Sequence, residues 1–466
     1  MTLHLDPDGV LMLVSAGSSS AVTAMLRSLD DRHVAFFRLG GGKHAGAIGP
    51  SEGAAMERLV QLATELGLPI VGVVSTSGAD IHEGVASLHA WGRLARALCR
   101  ASGVVPVVLA VVGPCTSGPA LLLGLADHVV MTPDAFAYVS GPEAVAAFTG
   151  VAVDRLGLGG GAVHDARTGL ASLVAADEDD ALLAVCDLLT YLPSNHLEDP
   201  PVEPLPADDP LERPCRRAAE TVPSEPRACY DVRTVLADVL DAGSFLEVRA
   251  RYAGNMVTGY GRLGGRAVGI VANQPLQRAG TLDIEASRKA ARFVQGCDAF
   301  NLPIVTFVDT PGFEPGKDLE WRGMIRHGAE LVHAYAAATV PRLCLVLRKA
   351  YGGAYIVMDS RELGNDACFA WPGAEIAVMG AKGAVQVLFG KQLAAIGETS
   401  EREKARAELE ADYEARYCSP AVAAERGLID DVIDPADTRR VLGVALSLQV
   451  TKREASSARK HSISPC

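Results

Sequence analysis

The sequence of 466 residues has few aromatic residues, no paired cysteines, no excess of positive charge and no long apolar run. Phe, Trp and Tyr make up only 5% of the residues although 49% are hydrophobic, so Ala, Val, Leu and Gly must fill the core. The formal net charge is −13. Because a nucleic-acid-binding protein needs a basic face to neutralise phosphates, this charge argues against that class.

The cysteines form no C-x-x-C pair and show no metal-ligand spacing, so the sequence predicts no metal site. Several, such as Cys344, lie in apolar runs, which favours reduced thiols in a cytoplasmic protein. No run reaches the ~18 apolar residues that a membrane span needs, and no signal-peptide pattern opens the chain. We therefore expect a cytoplasmic chain without membrane contact.

One pattern of apolar strands and small-residue turns occurs twice in the sequence. An apolar strand at 68–74 runs into Ser-Gly-Ala-Asp, and one at 302–308 runs into Asp-Thr-Pro-Gly-Phe-Glu. A second apolar strand in each copy then leads into a turn of small residues, at 113–120 and at 349–355. Two tandem α/β units of this kind predict two related half-sites.

The alternation of strands and helices predicts an α/β fold whose sites gather at the carboxyl ends of the strands. Proline recurs throughout 193–226, which predicts a linker. We expect a first domain at 1–192, a linker at 193–229, a second domain at 230–450 and a flexible tail at 451–466. A basic arm that binds nucleic acid is the alternative for the tail, although its run of Lys and Arg is short.

Three local patterns in the first and second halves of the sequence have specific structural meanings. Gly259–Gly264 matches G-x-G-x-x-G, but a strand follows it, so it predicts a hairpin turn and no dinucleotide site. Gly49–Gly53 matches G-x-S-x-G without a preceding strand, and Ser51 is better placed as a helix N-cap than as a nucleophile. The helix that follows is predicted to bury one face, made of Ala55, Leu59, Leu62, Ala63 and Leu66.

Neither turn of small residues has a nucleophile beside a histidine base, so what they share is backbone N–H groups. At the start of a helix such groups stabilise negative charge on oxygen, and small residues let a carbonyl oxygen approach. The alternative is that the glycines only allow close packing of helix on strand. Two such turns at matched positions favour the first explanation, which makes the chain an enzyme.

Long strings at 268–275, 307–313, 349–355 and 370–384, with looser ones at 78–84, 113–115, 140–142 and 189–193, carry a family resemblance. On these residues the chain resembles the carboxyltransferase β subunits of biotin-dependent acyl-CoA carboxylases, of the propionyl-CoA and acetyl-CoA carboxylase type. The resemblance covers roughly residues 30–440.

The resemblance implies an α/β chain of two tandem crotonase-like domains, each a ββα superhelix. Acyl-CoA would bind the first domain and carboxybiotin would enter from the second, with sites formed between subunits of a hexamer. The chain shows no ATP-grasp segment and no biotinylation site resembling Ala-Met-Lys-Met. The implied partners are therefore a biotin carboxylase and a biotin carrier, fused in one α subunit, and biotin is carried by that partner.

Carried over by motif, the N–H groups of Gly353 and Ala354 hold the biotin oxygen, and those of Ser117 and Gly118 hold the enolate oxygen of the acyl-CoA. Relatives usually have two glycines in the first turn, whereas this chain has Ser117 in place of the first. Pro119, which follows, donates no hydrogen bond.

The resemblance also implies a set of substrate-binding residues, with Lys43 as a partner for CoA phosphate: Gly41, Gly42, Lys43, Ala79, Gly141, Pro142, Tyr355 and Ile356. A plain surface turn is the alternative for the whole segment 40–44. Family members that prefer propionyl-CoA tend to carry Asp directly after Gly-Gly-Ala-Tyr. Ile356 at that position indicates acetyl-CoA, mixed short-chain or longer acyl groups.

Two other functions stay open. A decarboxylase subunit of the same fold would run the transfer in the opposite direction. An inactive structural homologue is the other, and Ser117 is the residue that argues for it.

Overall fold

The structure is a computed structural model that describes residues 4–5, 11–15, 21–29, 32–225, 227–452, 454 and 461–465. For 4–5, 11–15 and Lys43 it describes the backbone only. The chain divides into two compact units. The first consists of Met1–Pro201, Val248–Tyr252 and Ala299–Asn301, and the second of Val202–Glu247, Ala253–Asp298 and Leu302–Cys466.

The described part of the first unit forms a nine-stranded sheet in the order β1-β2-β3-β4-β5-β6-β7-β9, with β8 paired to β6. The strands are β1 His4–Leu5, β2 Leu11–Ser15, β3 Val22–Leu29, β4 Arg32–Leu39, β5 Ile70–Thr76, β6 Val107–Thr116, β7 His128–Met131, β8 Phe136–Tyr138 and β9 Leu173–Val174. Pairing is antiparallel up to β4 and parallel from β4 onward.

Helices follow most strands of this sheet: α1 Pro50–Leu66, α2 Val85–Ala101, α3 Pro142–Thr149, α4 Arg155–Gly159, α5 Gly161–Val163 and α6 Glu178–Tyr191. Shorter 3₁₀ turns occupy Lys43–Gly46, Ile81–Glu83 and Gly118–Leu125, and a π-helical turn occupies His164–Thr168. Residues of α1, α2 and the sheet form one hydrophobic core.

The second unit contains an eight-stranded sheet in the order β10-β11-β12-β13-β14-β15-β17, with β16 paired to β14. Its strands are β10 Leu246–Val248, β11 Met256–Leu263, β12 Arg266–Asn273, β13 Ile304–Thr310, β14 Arg342–Tyr351, β15 Ala367–Ala370, β16 Glu375–Ala377 and β17 Asp431–Val432. β11 and β12 are antiparallel, and pairing is parallel from β12 onward.

The helices from residue 216 onward are α7 Arg216–Thr221, α8 Val232–Val239, α9 Ile284–Ala299, α10 Lys317–Trp321, α11 Met324–Ala337, α12 Gly352–Val357, α13 Ala381–Ala394, α14 Thr399–Tyr413, α15 Pro420–Glu425 and α16 Thr438–Gln449. Single 3₁₀ turns lie at Arg278–Gly280, Arg361–Leu363 and Pro435–Asp437, and a π-helical turn lies at Glu414–Cys418.

Both sheets follow the same plan, as the repeat in the sequence predicts. An antiparallel hairpin leads into parallel strands, and a short extra strand pairs with the carboxyl end of the long central strand. The register is also the same, since Thr76 pairs with Cys115 and Thr310 with Ala350, each after a bulge. This common register makes the two turns comparable residue by residue.

Three local predictions need correction. Gly49 is the N-cap of α1 and Pro50 its first residue, so Ser51 lies inside the helix, where its hydroxyl donates to Glu52. Pro takes that place because its fixed φ suits the first helical position. Leu66 is the last residue of α1 and is 54% exposed, so it does not belong to the buried face.

The third correction concerns Gly259–Gly264. Gly259 and Gly261 lie inside β11, and the hairpin turn is made by Gly264 and Gly265, which both have positive φ. The turn therefore begins at the end of the motif, because Gly264 and Gly265 are the adjacent pair that adopts left-handed backbone there.

The proline-rich segment contributes to the core of the second unit. Cys215 and Ala218 are fully buried in a cluster with residues of α8 and of the sheet. Half of the predicted flexible tail at 451–466 lies outside the described residues. Among the described residues, no helix has the length and apolar character required to cross a membrane.

Candidate active site

The predicted site residues of the first unit follow four neighbouring strands. Gly41 and Gly42 come after β4, Ala79 after β5, Ser117 and Gly118 after β6, and Gly141 and Pro142 after β8. Because β4, β5, β6 and β8 are parallel neighbours, these loops lie along one edge of the sheet.

Hydrogen bonds join these loops to one another. The Thr116 hydroxyl donates to the carbonyl of Ser77 at 2.8 Å, and the N–H of Ser117 donates to the carbonyl of Tyr138 at 3.0 Å. The N–H of Ile48 donates to the carbonyl of Gly78 at 2.8 Å. The loops after β4, β5, β6 and β8 therefore form one connected rim.

The first turn has fewer free donors than the sequence predicts. The N–H of Ser117 is the one bonded to Tyr138, and Pro119 has no N–H. The N–H of Gly118 lies at the first position of the 3₁₀ turn, where no carbonyl of the turn accepts it. Of the two predicted donors, Gly118 is the one that is available.

Gly118 is also required by packing. A Cβ at this position would lie 2.9 Å from Cζ2 of Trp91, which is too close for any real side chain. The indole Nε1 of Trp91 is buried and has no hydrogen-bond partner among the described residues. At this turn the glycine therefore allows close packing, the explanation that the sequence left open.

The second turn is more open. Gly353 and Ala354 lie in the first turn of α12, where their N–H groups have no acceptor within the helix. A Cβ on Gly353 would find its nearest neighbour, Cε2 of Phe313, at 3.6 Å, an ordinary contact. Packing therefore does not require a glycine at position 353, in contrast to Gly118.

The common register shows which residues correspond. Cys115 matches Ala350, so Ser117 matches Gly352, and both have a positive φ, 64° and 61°. Gly118 then matches Gly353, and Pro119 matches Ala354. The predicted donor pairs are thus offset by one residue, and the first turn has proline where the second has a donor.

Behind the second turn lies a buried polar network that the sequence analysis missed. Asp309, at the end of β13, accepts hydrogen bonds from the Tyr230 hydroxyl at 2.9 Å, Arg348 Nε at 3.0 Å and the Lys349 N–H at 3.1 Å. Burial raises the pKa of Asp309, although these partners oppose the rise. Arg348 also stacks over the Tyr230 ring, with 5.2 Å from Cζ to the ring centroid.

The other predicted substrate-binding residues lie in different surroundings. Gly141 and Pro142 line an open cleft together with Tyr138, Glu143, Asp154, Arg155 and Leu156. Arg155, a cation that the sequence analysis passed over because it lies outside every motif, is exposed in this cleft. The side chain of Lys43 lies outside the described part of the chain. Tyr355 is buried at 8% exposure, whereas Ile356 is 41% exposed.

Comparison with known proteins adds the family. The model of the carboxyl transferase domain matches residues 29–463. The propionyl-CoA carboxylase beta chain of Saccharopolyspora erythraea is 45% identical over 443 residues, which cover 93% of this chain and 81% of that protein. The methylmalonyl-CoA decarboxylase subunit alpha of Veillonella parvula is 39% identical over 435 residues, covering 93% and 83%.

The fold has a solved counterpart. A transcarboxylase 12S crystal structure, described as a hexamer assembly with methylmalonyl-coenzyme A bound, has a TM-score of 0.91 and 41% identity to this chain. The match covers 96% of this chain and 85% of that one. The predicted fold class, two tandem crotonase-like domains, is thereby confirmed. Since the family match and these identities extend over nearly the whole chain, it belongs to the carboxyl transferase family and is an enzyme of that family.

Proposed function

We propose that this chain transfers a carboxyl group from carboxybiotin on a carrier protein to the α-carbon of a short- or medium-chain acyl-CoA. The observation that carries the proposal is the pair of corresponding turns at the carboxyl ends of β6 and β14, each with at least one unaccepted backbone N–H. Its support from known proteins is the similarity to a propionyl-CoA carboxylase beta chain.

The reaction needs stabilised oxygens more than it needs a protein base. Negative charge develops on the thioester oxygen of the acyl-CoA as its α-proton leaves, and on the ureido oxygen of the biotin ring. When bound, carboxybiotin supplies the carboxyl group and, after losing it, the nitrogen that accepts the α-proton. The protein has to hold the two oxygens, and each N–H donor that does so lowers the barrier by about 2.7–4 kcal/mol.

Each unit contributes one set of donors in this proposal. Gly353 and Ala354 donate to the ureido oxygen from the open turn of the second unit. Gly118 donates to the thioester oxygen from the first unit, on the rim that also carries Gly41, Gly42, Ala79, Gly141 and Pro142. Arg155, in the cleft with Gly141, is the cation that we assign to the CoA phosphates, and Lys43 remains a second candidate.

Replacing Gly353 with Ala tests the donor role. The new Cβ makes only an ordinary contact in the free protein, so folding should persist. We expect the added methyl group to hinder the approach of the ureido oxygen to the N–H groups of this turn. We expect kcat for transfer from malonyl-CoA to biocytin, a soluble biotin derivative, to fall by about 10²-fold or more. Gly296→Ala is the control, because nothing lies within 4 Å of its Cβ and α9 is distant in sequence from both turns. Equal activity of both variants would contradict the role of Gly353.

Acyl preference is expected to depend on Ile356. An exposed apolar side chain directly after Tyr355 favours acetyl, mixed short-chain or longer acyl groups. Supplied with a biotin carboxylase, a biotinylated carrier, ATP and bicarbonate, the protein should form malonyl-CoA, and Ile356→Asp should shift the kcat/KM ratio towards propionyl-CoA. Malonyl-CoA and methylmalonyl-CoA are measured by mass spectrometry, and an unchanged ratio would contradict this assignment.

The direction of transfer has one competing proposal. The identity to a methylmalonyl-CoA decarboxylase subunit favours, as the second candidate, transfer from a carboxylated acyl-CoA to biotin. The same N–H groups would serve, since forward and reverse reactions share a transition state. Forward turnover with ATP and bicarbonate separates the two directions. If no turnover is found in either direction for any acyl chain length, the remaining explanation is that the chain is an inactive structural homologue.

The proposal includes partners and an assembly. A biotin carboxylase and a biotin carrier, fused in one α subunit, would load and deliver the carboxyl group, and the chain would form a hexamer such as that described for transcarboxylase 12S. We also propose a cytoplasmic location. It is supported by the nine cysteines of the described chain, which are all free thiols.

A further inference from the structure

Two loops of the first unit bring three potential metal ligands together. His44 lies in the turn after β4, and Asp80 and His82 lie in the loop after β5. One ligand atom from each lies within 4.8 Å of the other two. Cysteine spacing gives no sign of this cluster, and 36 positions separate His44 from Asp80, so the ligands meet only in the folded chain.

The three side chains already face one another. Nδ1 of His44 is 2.9 Å from Oδ2 of Asp80, and the two imidazole rings stack with centroids 4.2 Å apart. The other carboxylate oxygen of Asp80 accepts the N–H of His82 at 2.9 Å, which fixes the orientation of the carboxylate. Both histidines are exposed to solvent, so a cation can reach them.

The backbone under this cluster is well fixed. The Ser77 hydroxyl donates to the carbonyl of His44 at 2.7 Å, and the Ser77 N–H donates to the carbonyl of Ala45 at 3.1 Å. The N–H of Asp80 donates to the carbonyl of Ile48 at 3.0 Å. Ligands held on such a frame lose little freedom when they bind an ion. Zn²⁺ holds imidazole nitrogens and carboxylate oxygens at about 2.0–2.2 Å.

The second unit has an ion pair in the corresponding place. Arg278 and Ala279 repeat the positive φ angles of His44 and Ala45, and Arg278 contacts Glu314 at 2.9 Å. A guanidinium stays protonated and cannot ligate a metal. Arg278 also contacts Asp283 at 2.7 Å, within its own loop. The link between the two loops of the second unit is therefore one cation and one carboxylate, Arg278 and Glu314. The first unit has His44 in place of the arginine and has His82 in addition. A simple ion pair between the two loops therefore does not explain why this cluster contains two histidines.

We propose that His44, Asp80 and His82 bind a divalent transition cation of the Zn²⁺ class, with water completing the coordination. Two imidazoles and one carboxylate are ligands that Zn²⁺ favours. The ion would tie the loop that carries Gly41 and Gly42 to the loop that carries Ala79, and it would place positive charge on a chain of net charge −13. The proposal goes beyond the proposed function, because binding is measured without turnover.

The full-length protein is first freed of metal with a chelator and then titrated with Zn²⁺ against a chromophoric chelator. We expect one equivalent to bind. Substituting Co²⁺ should give visible d–d absorption bands without the strong near-ultraviolet bands of a thiolate ligand. This spectrum matters because Cys99 and Cys229 are exposed thiols that also bind such ions.

Two variants assign the site. His44→Arg removes one ligand while rebuilding the Arg–carboxylate pair of the second unit, so the loops stay clamped, and His82→Gln removes another. Each should weaken Zn²⁺ binding by at least about tenfold. His33→Gln is the control, because His33 is an exposed histidine bonded only to Ser28 among the described residues. Absent binding, a thiolate spectrum, or equal affinity in wild type and both variants would overturn the proposal, whatever the enzyme's activity.

Discussion

At the scale of single residues, Ser117 is the most unusual member of the candidate site. Its φ of 64° and ψ of −155° lie in a region that only glycine adopts readily, and the corresponding residue of the second unit is Gly352. A side chain in such a conformation costs on the order of 1–3 kcal/mol. Ser117 therefore strains the first turn without adding a free N–H, since its own N–H is bonded to Tyr138.

Replacing Ser117 with Gly should stabilise the protein. The free energy gained by relieving the strain exceeds the free-energy cost of the extra entropy that a glycine gives the unfolded chain. We therefore expect the free energy of unfolding to rise by about 1 kcal/mol, which corresponds to an apparent Tm higher by about 2–4 °C. The Gly118 donor is untouched, so transfer to biocytin should continue. Differential scanning calorimetry at one protein concentration measures the change.

Two comparisons isolate the strain. Ser117→Ala keeps a Cβ at positive φ, so its Tm should stay within about 1–2 °C of wild type. Ser102→Gly makes the same substitution at a φ of −56°, where no strain exists, and should lower stability slightly. If Ser117→Gly were no more stable than Ser102→Gly, the turn would not be strained.

At the scale of elements, the second turn depends on the end of β13. Asp309 is 1% exposed and joins Tyr230, Arg348 and the N–H of Lys349, three residues before Gly352. Arg348 also donates to the carbonyl of Ala228 at 2.8 Å. These hydrogen bonds connect the segment before α8 to the ends of β13 and β14 through one buried carboxylate. They thereby fix the position at which α12 begins.

Replacing Tyr230 with Phe should lower the stability of the protein while leaving the other hydrogen bonds of Asp309 in place. The variant loses one hydrogen bond to a buried carboxylate, worth about 1.5–3 kcal/mol, but keeps the ring beneath Arg348. The apparent Tm should fall by roughly 4–8 °C. Tyr417→Phe is the control, because Tyr417 is 48% exposed, and its effect should stay below about 0.5 kcal/mol. Equal shifts in the two variants would mean that the Asp309 bond adds no stability.

The elements themselves were largely predictable, and the reasons are local. Apolar runs such as 70–74 and 128–131 became strands at those positions, and the duplicated pattern became two sheets of one topology. The network of Asp309 and Tyr230 was not predictable, because its members are 79 positions apart and meet only after the strands pair. The one-residue offset between the turns also escaped the sequence, since it depends on the bulges in β6 and β14.

At the scale of the whole molecule, helices α3 and α13 expose apolar side chains of a kind that a monomeric protein usually buries. Helix α3 has no buried residue, and Phe148 on it is 93% exposed, with Val139 and Val151 nearby in sequence at 56% and 62%. Helix α13 likewise exposes Val387 and Leu388 at 73% and 62%. Large apolar side chains exposed on a helix in this way are typical of contacts with another protein. A second copy of the chain is the partner that the proposed hexamer supplies.

Helix α3 links this surface to the site, because it begins at Pro142, directly after Gly141 in the cleft. If subunits meet on α3, Phe148→Glu places a charge in a buried interface and should shift sedimentation towards smaller species than wild type. Transfer to biocytin should fall with it, because the family resemblance implies an active site formed between subunits. Far-ultraviolet circular dichroism checks that the fold persists. Leu197→Glu is the matched control, an 84% exposed leucine outside the helices, and should change neither property. A Phe148→Glu protein with wild-type sedimentation and turnover would show that α3 lies outside the interface and that the site does not depend on it.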